Sequence, residues 1–140
     1  MYTLDRTPRT RLVCQDLSNL SRTFKASAAL PEGTHVKVDA NGKLAPLAAA
    51  TDKPIGVVLV PSRKADDDAT ILLSCQAIVY ATASTAVTRG SLVAYASKDA
   101  ANVVSYAPAV TGNTVLGIAL TDIAAGTMGD IGLIFQPYTL

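Results

Sequence analysis

From Pro31 onward the chain alternates in twos. Val36 and Val38 are interleaved with His35, Lys37 and Asp39, the period of a half-buried β-strand. Asn41-Gly42 follows, a dipeptide with easy access to positive φ that suits a tight hairpin turn, and Lys43 to Leu47 reads as the returning strand. Pro54 and Pro61 bracket the run Ile55-Gly56-Val57-Val58-Leu59-Val60. A continuous apolar run of that length predicts a strand buried on both faces, and Gly56 within it marks a bulge or a close backbone approach. Beyond the charged stretch Ser62 to Asp68, the segments Thr70 to Ser74 and Gln76 to Thr82 predict a further pair of strands. Residues 1–30 have a different texture: polar, mixed in charge, with Pro8 inside and one apolar stretch around Leu12, Val13 and Leu17. They read as an extended arm with one helical turn at most.

The second half repeats the first. Pro31-Glu32-Gly33-Thr34-His35-Val36 aligns with Val87-Thr88-Arg89-Gly90-Ser91-Leu92-Val93, and Pro54-Ile55-Gly56-Val57-Val58-Leu59 with Val115-Leu116-Gly117-Ile118-Ala119-Leu120. The paired glycines are 23 residues apart in the first copy and 27 in the second. An internal repeat of this kind predicts one structural unit used twice, and a unit of a few short strands cannot bury its apolar face alone. The expected fold is therefore all-β: a compact sandwich or small barrel made of two similar units, at about 31–82 and 87–136, within one domain spanning 31–140 and preceded by the arm, 1–30.

Composition narrows the chemistry. Of 140 residues, 49% are hydrophobic but only 5% aromatic, with no Trp, so the core must be built from small aliphatic side chains. A net charge of +1 gives no global field for nucleic acid, and no apolar run approaches the ~18 residues of a membrane-spanning helix. Charge is nonetheless uneven. The first 25 residues carry Arg6, Arg9, Arg11, Arg22 and Lys25 against Asp5 and Asp16, while no Lys or Arg follows Lys98. Cys14 and Cys75 have no metal-site spacing; reduced thiols, with Cys75 in a strand, or a disulfide between the two both fit, and with no secretory signal cytosolic synthesis is expected.

Candidate chemistry is sparse. His35, the one imidazole, lies in an alternating strand and is expected to be a partly exposed strand histidine, since a proton shuttle would need partners that spacing does not supply. Asp66-Asp67-Asp68 offers consecutive carboxylates but lacks the spaced calcium-loop pattern; a solvated loop, or an acidic contact patch for a partner, is the expectation. Gly126-Thr127-Met128-Gly129-Asp130 lacks the Lys of a phosphate loop and reads as a turn. No nucleophile elbow occurs. No catalytic, cofactor or metal site is expected, and the chain does not read as an enzyme. Tyr80, Tyr95, Tyr106 and Phe135 fall in strands and are expected to fill the core or an interface.

The Gly-x-x-Val and Ile/Leu-Gly-x-x-Leu elements recur at Gly33 to Val36, Asp52 to Val58, Val87 to Val93, Val115 to Leu120 and Ala124 to Gly126 before Ile131-Gly132-Leu133. On these elements the chain resembles the capsid decoration, or cement, proteins of tailed bacteriophages. That resemblance implies a virion protein on the capsid exterior that binds the major capsid protein, bridges neighbouring subunits and stabilises the expanded head. It also implies a homo-oligomer, by family analogy a trimer, with no direct contact to nucleic acid. The candidate capsid contacts are then the arm cations Arg6, Arg9, Arg11, Arg22 and Lys25, ordering on an exposed sheet edge, and the loop Asp66, Asp67 and Asp68. The alternative is a carbohydrate-binding β-sandwich. Deleting Met1 to Lys25 is expected to abolish or greatly weaken binding to heads in co-sedimentation while the β domain stays folded.

Overall fold

The computed structural model describes residues 10–12, 21–73 and 77–140. Its described residues contain no helix, and eleven strands follow in chain order: β1 (Thr10–Leu12), β2 (Ser21–Lys25), β3 (His35–Val38), β4 (Leu44–Pro46), β5 (Gly56–Val60), β6 (Asp68–Leu72), β7 (Ala77–Ala83), β8 (Leu92–Lys98), β9 (Val104–Pro108), β10 (Thr114–Ala119) and β11 (Met128–Thr139). One sheet has the order β2-β6-β5-β3-β4 and the other β1-β7-β11-β10-β8-β9. Raising each label of the first order by five gives the second, with β1 added outside β7. The all-β class, with two similar units forming a sandwich-like pair, is as the sequence predicts.

Each sheet curls until its last strand meets the end of its first. In the second unit β7 and β9 pair in parallel at Thr82↔Ser105 and Ala83↔Tyr106. In the first, Ala26 makes a parallel bridge to Leu44. The backbone hydrogen bonds repeat as well: Ser27 N–H donates to Leu44 O and Ser84 N–H to Tyr106 O, both at 2.8 Å. Two glycines permit the curl. A Cβ on Gly56 would collide with the carbonyl oxygen of Leu72, and one on Gly117 would stand 2.6 Å from the carbonyl oxygen of Gly132. Only a residue with no side chain lets the crossing strands approach so closely. The hairpin turns also match, since Asp39 Oδ1 accepts the N–H of Asn41 and Lys43 and Asp99 Oδ1 accepts those of Ala101 and Val103.

Small aliphatics fill both interiors. Ala26, Leu30, Val36, Leu44, Val58, Ala69 and Ile71 form the core of the first unit. The second core, around Val87, Val93, Tyr106, Leu116, Ile123 and Ile131, also takes in Leu47 and Leu72 of the first unit, with Val57 and Leu59 packed against it. Each fully buried Leu, Ile or Val contributes about 1.5–3 kcal/mol. This arrangement explains the apolar run at β5: Val58 faces its own interior, while Val57 and Leu59 face the second unit. The predicted burial on both faces ends at Val60, which is 51% exposed beyond the register shift between Val58 and Val60.

One expectation changes. Residues 21–30 are not a free arm: β2 pairs with β6 from Ser21↔Leu72 to Lys25↔Asp68, and Ala26 and Leu30 are fully buried. The polar sequence Ser-Arg-Thr-Phe-Lys disguises a strand at which only Phe24 packs on the core. Tyr95 and Tyr106 are buried as expected, whereas Tyr80 is 55% exposed. Tyr2, Cys14 and Cys75 lie outside the described residues.

Removal of Met1 to Lys25 therefore deletes a strand of the first sheet, and circular dichroism of that variant is expected to show loss of its β structure, whereas removal of residues 1–9 leaves it intact. Gly56→Ala forces a backbone shift against Leu72 and is expected to cost at least about 2 kcal/mol in urea unfolding. Gly90→Ala, in open space but at φ +83°, is expected to cost about 1 kcal/mol.

Candidate functional site

Along β3 side chains alternate between two environments. Val36 points into the first unit and His35 away from it, into the seam with the second. There His35 Nδ1 lies 3.1 Å from the hydroxyl of Tyr106 on β9, the two rings meeting edge to face at 73° with centroids 6.1 Å apart. His35 is 2% exposed and Tyr106 1%. The expected partly exposed histidine is thus a buried one, because the face of β3 opposite its own core is covered by the second unit. Burial without a charged partner lowers the His35 pKa to about 4 and raises that of Tyr106, so both are neutral at pH 7. Further bonds cross the seam: Asn102 Nδ2 donates to Ala29 O at 2.8 Å, and Thr114 N–H to Ala50 O at 2.7 Å.

At one end the seam opens as a groove of about 380 Å³. Pro31 to Thr34 form one wall, and Val79 to Thr82 with Val103, Val104, Tyr106 and Met128 form the other. Its rim is apolar and wet, with Tyr80, Val103 and Met128 each about half exposed. Reading the strands in isolation missed this surface, since Tyr80 and Met128 lie 48 residues apart in sequence and meet only through the pairing Met128↔Thr82.

The predicted contact residues are distributed differently from the expectation. Arg6 and Arg9 lie outside the described residues. Arg11 belongs to β1, opposite Ile78 of β7. Arg22 and Lys25 are in β2, Arg22 donating to the carbonyl of its neighbour Ser21. The predicted acidic loop lies beside them. Lys25 Nζ is 2.9 Å from Asp68 and Lys43 Nζ pairs with Asp66, while Asp67 Oδ2 accepts the N–H of Arg63. The Lys43 ammonium holds the Asp66 carboxyl below its usual range. Lys25 of the candidate arm and Asp68 of the candidate loop therefore pair and partly neutralise each other. A third pair, Lys37–Asp52 at 2.7 Å, sits with Asp52 also accepting the N–H of Ala48 and Ala49; burial alone would push this carboxyl up, but the ammonium and the two amides outweigh it and bring it down.

Among the described residues no cluster of three His, Cys, Asp or Glu side chains could hold a metal ion, and no helix is long and apolar enough to cross a membrane.

No family model matches the chain, and no curated protein matches it. Among solved structures it is similar to the head fiber gp8.5 N base of bacteriophage phi29, with a TM-score of 0.55 and 15% identity over 86% of this chain and 98% of that one. The likeness is one of fold.

Because His35 titrates near 4 when folded and near 6.5 when unfolded, the unfolded state binds the extra proton between those values. Its contribution to stability is complete above about pH 6.5 and is lost as pH falls toward 4, by about 3 kcal/mol in total. Urea unfolding at a series of pH values is expected to show this slope, and His35→Leu is expected to remove it.

Proposed function

We propose that this chain is a non-enzymatic structural protein of a tailed-phage virion, carried on the outside of the head, where it contacts the major capsid protein and bridges neighbouring subunits of the expanded shell. One observation carries the reading: the fold likeness to a phage head fiber base, which spans nearly the whole of that chain. The burial of the one histidine as a packing group supports a structural role over a catalytic one.

The physics of such a role suits what the chain offers. A rigid two-unit body holds its orientation on a lattice, so little conformational entropy is lost on attachment. Exposed cations such as Arg22, with the arm residues Arg6, Arg9 and Arg11, provide electrostatic complementarity to an acidic shell surface and a salt-dependent on-rate. Self-association, as a trimer in keeping with the family resemblance, multiplies weak contacts into avidity.

Co-sedimentation of the full chain with heads lacking it, in unexpanded and expanded forms and across a salt series, tests the reading. Saturable binding to expanded heads, weakened by salt, is the expected outcome. Failure of the folded protein to bind either form would overturn it.

A further inference from the structure

The outward face of each sheet has a different fate, so the two units pack head to tail rather than about a two-fold. In the first sheet a row of side chains crosses three strands: His35 on β3 stands opposite Val57 on β5, and Val57 opposite Leu72 on β6. With Leu59 this row forms the face that packs on the second unit. His35 reaches Tyr106 there, and Leu72 belongs to the second core with Val57 and Leu59 packed against it. The repeat carries the same row into the second sheet. Leu92 on β8 stands opposite Ile118 on β10, and Ile118 opposite Gly132 on β11, while Leu120 takes the place of Leu59. Here the face is open to solvent: Ile118 is 38% exposed and Leu120 41%, against 4% for Leu72 and 2% for His35.

An antiparallel sheet with one face in water ordinarily sets polar side chains there. This row instead runs Leu92, Ile118, Gly132, and Ile78 of β7 extends it opposite Gly132. An exposed aliphatic surface of this kind marks an interaction site, and its equivalence to the packing face of the first unit says that the partner is another copy of the same fold. The head-to-tail arrangement used within the chain does not continue to a further copy. Where the second unit receives His35 with Tyr106 and Gly33 with Val79, the equivalent positions of the first unit hold Leu44, which is fully buried, and Arg22, which is exposed. Desolvating a guanidinium against an aliphatic face costs free energy. The matching surface is the same face of a second copy, aliphatic on aliphatic, as two sheets pack in a sandwich.

We propose that the outer face of the second sheet, centred on Ile118, is where copies of this chain meet one another around a shared axis. The proposal names the surface for the self-association included in the virion role and rests on that part of it; because its test contains no heads, its failure leaves the capsid contact standing. Sedimentation equilibrium of the full chain over a micromolar concentration range is expected to show a closed pair or trimer. High salt is expected not to weaken it, since burial of aliphatic surface is not screened. Ile118→Arg is expected to weaken the association at least tenfold with the β structure retained by circular dichroism. Val38→Arg, at a residue of similar exposure in the first unit, is expected to leave it unchanged. Leu120→Arg is the second face variant, read in the same way where Ile118→Arg does not fold. A chain that stays monomeric would overturn the proposal, as would association that both face variants leave intact. A monomer that loses its binding to heads on Ile118→Arg would overturn it in favour of the capsid protein as the occupant of this face.

Discussion

The hydrogen bond between His35 and Tyr106 sits where two closed sheets meet, and the relation of one unit to the other depends on it. Apolar contact alone would hold the units together but would tolerate sliding, because dispersion and hydrophobic burial have little direction. A buried polar pair does not tolerate it. Separating the imidazole from the hydroxyl leaves two desolvated groups unsatisfied, at about 1–3 kcal/mol each, so the seam has one favoured register. Asn102 to Ala29 and Thr114 to Ala50 add cross-seam bonds that favour the same register.

The two units share a backbone plan and differ in how side chains use it. Leu44 and Val58 of the first interior correspond to Tyr106 and Ala119 of the second, a larger residue at one position accompanying a smaller one at the other. Ser62, whose hydroxyl donates to Ala28 O, corresponds to Ile123, and its neighbour Ala69 to Gly129, where a Cβ would strike Ile123. Bulk shifts between neighbouring positions while polarity is redistributed. The enlargement from Leu44 to Tyr106 carries the hydroxyl that reaches His35, so the seam is built from a difference between the copies. Outside the core the divergence serves the surface: the charged turn at Asp66 to Asp68 has its counterpart in the uncharged Gly126 to Met128, leaving the first unit with the paired charges and the second with Met128 in a wall of the groove.

Much of this plan was legible in the residues. Alternation at Val36 and Val38, the Asn41-Gly42 turn and the positive-φ glycines Gly33 and Gly90 reflect local backbone requirements, which a sequence records directly, whereas Gly56 and Gly117 answer to the close approach of a neighbouring strand. The repeat in fact begins earlier than Pro31, since Ala26-Ser27 and Ala83-Ser84 stand in the same relation, 57 residues apart, and make the same closing bonds; that short match was available and weak. β2 was hidden because its neighbour on the sheet, not its own polarity, makes it a strand. His35 was misplaced for a similar reason. Alternation says that one face of β3 is core, but only the packing of the second unit makes the other face core too. The groove arises from the packing of the two units and the meeting of Lys25 with Asp68 from the pairing of β2 with β6, and neither has a local signature.

The central claim is that the seam makes two small closed sheets into one cooperative body. Urea unfolding followed by methyl resonances in each interior, Val36 and Ile71 for the first unit and Val93 and Ile131 for the second, tests it most directly. Coincident midpoints in both sets are predicted. Two separated transitions, one for each unit, would contradict the account.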